Sequence, residues 1–72
     1  MKPLMEILDT IDQRLKKLGE RPQSIDGNEI RKMVKDKVDP VLIRKKYIKQ
    51  MNLVIEWDKK ASSIRKEEMD KL

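Results

Sequence analysis

The side chains of this chain that could do chemistry are hydroxyls, carboxylates and cations, because its 72 residues include no histidine and no cysteine. Without these two residues, nucleophilic catalysis would need a serine–lysine or threonine-based device. Thr10, Ser62 and Ser63 supply hydroxyls, but no sharp turn or oxyanion hole is indicated around them. The two glycines do not form a phosphate-binding loop. We therefore expect a protein that is not an enzyme, with no catalytic residue, no metal site and no cofactor.

Lysine and arginine offer a different chemistry, the binding of a polyanion. The chain has 18 Lys and Arg against 13 Asp and Glu, a net charge of +5. Residues 1–20 and 61–72 are each balanced, so the excess lies in residues 21–60. If the partner is a nucleic acid, the predicted contacts to phosphates are Arg31, Lys32, Lys35, Arg44, Lys45 and Lys49. A solvated face that only keeps the chain in solution explains the same charges equally well.

Length and composition predict one small domain with a limited core. Hydrophobic residues make up 38% of the chain and charged residues 43%, and Tyr47 and Trp57 are the two aromatic residues. A chain of this size with so few apolar groups is marginal as a monomer, and oligomerisation is a common remedy. The longest apolar runs are three residues, which is too short for a membrane span. We expect a cytoplasmic protein with no integral membrane association.

The first of three predicted helices covers about residues 3–18, where leucine and isoleucine recur with spacings of four and three residues. The residues in this stripe are Leu4, Leu8, Ile11, Leu15 and Leu18, while Met5 and Ile7 flank it. Gly19 is suited to follow the end of a helix, and Pro22 prevents its continuation.

Capping signals predict where the other two helices begin. Asp26 followed by Glu29 is typical of a capping box, which indicates a second helix over about residues 27–38. Asp39-Pro40 combines a favourable N-cap with a favourable first helical residue. A third helix is therefore predicted over residues 40–60 or longer. Ala61-Ser62-Ser63 is its expected weak point, and the tail, residues 61–72, is expected to fray.

The third helix carries two apolar stripes on a wheel of 100° per residue. The broad stripe consists of Ile43, Tyr47, Ile48, Met51, Val54 and Ile55, and the narrow one of Leu53, Trp57 and Ile64, with Leu42 near its edge. A small domain needs one stripe per helix for its core, so we predict that the narrow stripe binds a partner, with Trp57 as its anchor. In the other interpretation, the first and second helices each cover one stripe, and both stripes are buried within one chain.

Together these patterns predict an all-α fold, either a three-helix bundle or a helical hairpin with a long C-terminal helix, that forms an oligomer. The function we expect is that of a small regulatory or adaptor module that acts through helix-mediated contact with a protein partner or with itself. The alternative is a DNA- or RNA-binding protein that uses the basic surface of residues 31–49.

Overall fold

The computed structural model describes all 72 residues and contains three helices and no strand. The helices are α1 (Leu4–Leu18), α2 (Gly27–Lys35) and α3 (Pro40–Met69). The prediction of an all-α protein with three helices is therefore confirmed, while the bundle or hairpin arrangement and the oligomer stay predictions. No helix combines the length and the apolar character that crossing a bilayer requires.

Helix α2 begins at a capped end and ends before the predicted residue 38. The Asp26 carboxylate accepts a hydrogen bond from the Glu29 backbone N–H at 2.8 Å. At the other end Lys37 has a φ of 58°, in the left-handed region where glycine is the usual residue. The Lys37 N–H donates to the carbonyl of Val34, and the Val38 N–H donates to the carbonyl of Met33. These two bonds form a Schellman motif, which stops the helix and reverses the chain.

Helix α3 begins where the sequence predicts and continues beyond the expected weak point. The Asp39 carboxylate accepts a hydrogen bond from the Val41 N–H at 2.9 Å, and Pro40 is the first helical residue. The Ala61-Ser62-Ser63 segment lies inside the helix, which continues to Met69. The side chain of Ala61 is fully buried, so this position is held by packing. With 30 residues, α3 is about 45 Å long.

The contacts divide the chain into two compact units. The terminal unit consists of Met1–Arg21 and Glu56–Leu72, and it pairs α1 with the C-terminal part of α3. The central unit consists of Pro22–Ile55, and it pairs α2 with the N-terminal part of α3.

The terminal unit holds most of the buried apolar residues. Ile7 and Ala61 are fully buried and Ile11 is nearly so. The backbone N–H of Lys2 donates to the carbonyl of Lys71, which joins the two ends of the chain. The α1 face that packs inward is thus centred on Ile7, which the sequence placed beside the apolar stripe. Leu8, which the sequence placed in that stripe, is 41% exposed.

Burial along α3 follows one seam, in place of the two stripes drawn on the helical wheel. The residues that are buried or half-buried are alternately four and three residues apart. They are Ile43, Tyr47, Gln50, Val54, Trp57, Ala61, Ile64 and Glu68. This spacing averages 3.5 residues, the repeat that keeps one side of a helix against its neighbours in a coiled coil.

The contrast between Ile7 and Leu8 predicts a large difference between two similar truncations. We expect Ile7→Ala to lower the free energy of unfolding by about 2–5 kcal/mol, because it opens a cavity in a fully buried site. We expect the matched control Leu8→Ala to lower it by less than about 1 kcal/mol, since Leu8 is already partly in solvent. Urea unfolding followed by circular dichroism measures both values, and equal losses would contradict this description of α1.

Candidate protein-interaction surface

The central unit leaves most of its large apolar side chains in contact with solvent. Of its residues only Val54 is buried, and α2 contains no buried residue. The exposed apolar side chains of this unit are Val34, Val41, Leu42, Ile48, Met51, Leu53 and Ile55. Two of them, Val34 and Leu42, line clefts on the surface of this unit. Exposed apolar surface of this kind is a candidate for binding.

The first of two clefts on the central unit lies between α2 and the start of α3. It has a volume of about 480 Å³. Its lining residues are Ile30, Val34, Val38, Pro40, Ile43, Arg44 and Tyr47. Arg44 is the one charged residue among them, so the cleft offers an apolar surface with a single cation at its rim.

The second cleft, of about 430 Å³, shares Val38 with the first. Its apolar lining is completed by Met33 and Leu42. Its other lining residues are Lys45, Lys46 and Lys49. An apolar floor next to three ammonium groups suits a ligand that carries both apolar and acidic side chains.

The cations of the central unit are not paired with carboxylates of the chain. This unit has eight Lys and Arg against four Asp and Glu, a net charge of +4. None of the eight takes part in a salt bridge, and only Arg31 makes a side-chain hydrogen bond, to the Asn28 amide oxygen at 3.0 Å. The six residues predicted to contact phosphates all lie in this unit, three on α2 and three on α3.

Trp57, the predicted anchor of a partner, lies in the terminal unit and contacts its own chain. Its indole N–H donates to the carbonyl of Gly19 at 3.1 Å, just past the end of α1. The neighbouring Asp58 carboxylate accepts two hydrogen bonds from the Arg21 guanidinium, at 2.8 and 3.0 Å. These contacts hold the chain where it leaves α1, and Trp57 remains half-exposed.

The structure separates the three residues of the narrow stripe. Ile64 is half-buried in the terminal unit and lines a shallow cleft with Leu18 and Arg14 of α1. Leu53 belongs to the central unit and is 44% exposed. Trp57 and Ile64 thus share one unit with α1, and Leu53 lies outside it. That the three residues bind a partner stays a prediction.

A buried carboxylate connects α1 to the C-terminal end of α3. Glu68 is 2% exposed, and its carboxylate accepts hydrogen bonds from the Lys71 ammonium at 3.1 Å and from the Arg14 guanidinium at 2.9 Å. Arg14 also donates to the Glu67 carboxylate at 2.9 Å. The hydrogen bonds from Lys71 and then Arg14 lower the pKa of Glu68, and those from Arg21 lower the pKa of Asp58.

Neither a metal centre nor a relative identifies the chain. No group of three or more carboxylate residues is arranged so that it could hold a metal ion. Comparisons with protein-family models, with curated proteins and with solved structures found no match.

The lowered pKa values of Glu68 and Asp58 predict a loss of stability in acid. A carboxylate with a lowered pKa in the folded state stabilises that state above its ordinary pKa, and this contribution is lost as the pH falls through the folded-state value. We expect the melting temperature to fall as the pH is lowered from about 6 to about 2, and to fall less in Glu68→Gln. Circular dichroism at 222 nm follows the melting.

Asp70→Asn is the control for this experiment, because it removes a nearby carboxylate that forms no salt bridge. Its profile should match the wild type. Parallel profiles for the wild type and Glu68→Gln would show that the Glu68 network does not cause the acid sensitivity.

Proposed function

We propose that this protein is a small non-enzymatic module, regulatory or adaptor in kind, that acts by binding a helix of another protein chain. The proposal is carried by one observation, the two clefts of the central unit with their apolar linings, in which Val34 and Leu42 are exposed. Burying such side chains against a partner contributes about 25 cal/mol for each Å² removed from water.

The shape and chemistry of the clefts favour a helix as the ligand. An amphipathic helix presents apolar residues at three- and four-residue spacings, which suits an apolar groove. The floor formed by Val38, Met33 and Leu42 accommodates the apolar side chains of such a helix, and the lysines at the rim accommodate its carboxylates. The non-enzymatic part of the proposal is supported by the absence of histidine and cysteine from the sequence.

A labelled acidic peptide tests this proposal directly. The probe is an amphipathic peptide of about 15 residues with leucines three and four residues apart, and its anisotropy is followed as the protein is added. We expect micromolar binding, and we expect Leu42→Asp to weaken it at least about tenfold, because it places a carboxylate in the floor of the second cleft.

Val41→Asp provides a matched control. Val41 and Leu42 are adjacent and equally exposed, at 58% and 57%, but Val41 lines neither cleft. Val41→Asp should therefore bind the peptide as the wild type does. A peptide of the same composition with its leucines scattered should not bind. The proposal fails if neither the amphipathic peptide nor a second copy of the chain associates with the protein.

The eight cations of the central unit, none of them in a salt bridge, favour a second candidate function, the binding of nucleic acid. A basic helix can contact phosphates without reading bases. Arg44, Lys45 and Lys49 on α3 fall within two turns of one another and are the first residues to test for this role.

Fluorescence anisotropy with mixed-sequence duplex DNA and RNA tests this second candidate. If nucleic acid is the ligand, binding is micromolar or tighter at about 50 mM salt and much weaker at about 200 mM salt. Lys45→Glu with Lys49→Glu then abolishes binding, while Lys59→Glu with Lys66→Glu, an equal charge change in the terminal unit, preserves most of it. No binding at the lower salt would exclude this candidate.

A further inference from the structure

The terminal unit carries a second apolar surface, on the side of α1 that faces solvent. Leu4, Met5 and Leu8 are 49%, 69% and 41% exposed. Asp9 and Asp12 lie one turn after Met5 and Leu8 on the same side of the helix, and neither takes part in a salt bridge. We call these five residues the acidic apolar face.

The acidic apolar face and the central unit carry opposite charges beside exposed apolar side chains. Residues 3–13 contain three carboxylates and no cation, whereas residues 44–49 contain four cations and no carboxylate. Each surface also exposes apolar side chains that its own unit does not cover. One contact between them would shield both apolar surfaces and pair their charges.

We propose that the acidic apolar face of one copy docks on the clefts of the central unit of a second copy. The inference rests on the proposed function, since it names a second copy of this chain as the source of the bound helix. In a two-fold symmetric dimer such a contact occurs twice. The face of the first copy docks on the clefts of the second, and the symmetry axis requires the face of the second copy to dock on the clefts of the first.

Charge favours this pairing over contact between like surfaces. If two central units met through their clefts, Lys45, Lys46 and Lys49 of one copy would face the same lysines of the other. Like charges placed opposite each other at an interface are strongly disfavoured. Contact between the acidic apolar face and the clefts places carboxylates opposite those lysines.

Sedimentation equilibrium tests the inference with two reciprocal charge reversals. The wild type should approach twice its 8.6 kDa chain mass as its concentration rises from about 10 μM to about 1 mM, and high salt should weaken the association. Asp9→Lys with Asp12→Lys should weaken it at least about tenfold, and so should Lys45→Glu with Lys49→Glu, because each variant makes both contacts of the dimer repulsive.

An equimolar mixture of the two variants is the decisive sample. In the mixture both contacts of a mixed dimer again join opposite charges, so association should return. The two variants have net charges of +9 and +1, four units above and below the +5 of the wild type, so overall attraction between them cannot produce this rescue. Circular dichroism checks that each variant remains helical. As a control for the change in charge, Lys59→Glu with Lys66→Glu should associate as the wild type does.

Three results would overturn the inference. They are a wild type that stays monomeric at low salt, variants that associate as well as the wild type, and a mixture that is not rescued. If the wild type is monomeric but binds the acidic peptide through Leu42, the proposed function stands and the helix comes from a different protein. If neither association occurs, both proposals fail.

Discussion

Within each unit, the buried and half-buried residues of α3 are alternately four and three residues apart. A spacing that averages 3.5 residues keeps one side of a helix against the element that it packs on. In the terminal unit this seam includes Trp57 and Ile64, which line clefts beside α1, and the fully buried Ala61. In the central unit it supplies Ile43 and Tyr47, which line the cleft beside α2.

Two positions of the seam are polar, and both are satisfied. Gln50 donates its amide N–H to the carbonyl of Gln23, which ties the loop before α2 to α3. Glu68 is held between Arg14 and Lys71. A buried carboxylate that lost these partners would be costly to keep charged, so the network favours one register of α1 against α3. These polar positions also leave less of the seam for apolar side chains.

The two units differ in how much of their apolar surface they bury, and this difference leaves the central unit with exposed apolar side chains. The terminal unit encloses Ile7, Ile11 and Ala61, whereas the central unit encloses only Val54. The central unit also carries most of the net charge, +4 of the total of +5. Exposed apolar groups and lysines outside any salt bridge therefore occur together, and on this combination we base the proposal of an acidic amphipathic helix as the ligand.

The sequence by itself determined where the helices begin, because the signals for a helix start are local, whereas the ends of α2 and α3 differ from the prediction. Asp26 and Asp39 cap α2 and α3 through hydrogen bonds that span less than one helical turn. Gly19 directly follows α1, as expected for a glycine at the end of a helix. The sequence alone also shows that the cations cluster in the segment that contains Arg31 and Lys49.

Only the tertiary structure decided which apolar residues are shielded. The buried and half-buried positions of α3 draw on both predicted stripes, with Ile43, Tyr47 and Val54 from the broad one and Trp57 and Ile64 from the narrow one. The other members of the two stripes, Ile48, Met51, Ile55 and Leu53, are exposed. The seam could not be recognised from the apolar pattern because two of its positions are the polar residues Gln50 and Glu68. Their burial depends on partners that are distant in sequence. For the same reason no local pattern predicts that Trp57 contacts the end of α1, or that Ile7 is buried while Leu8 is exposed. Packing between helices decides both.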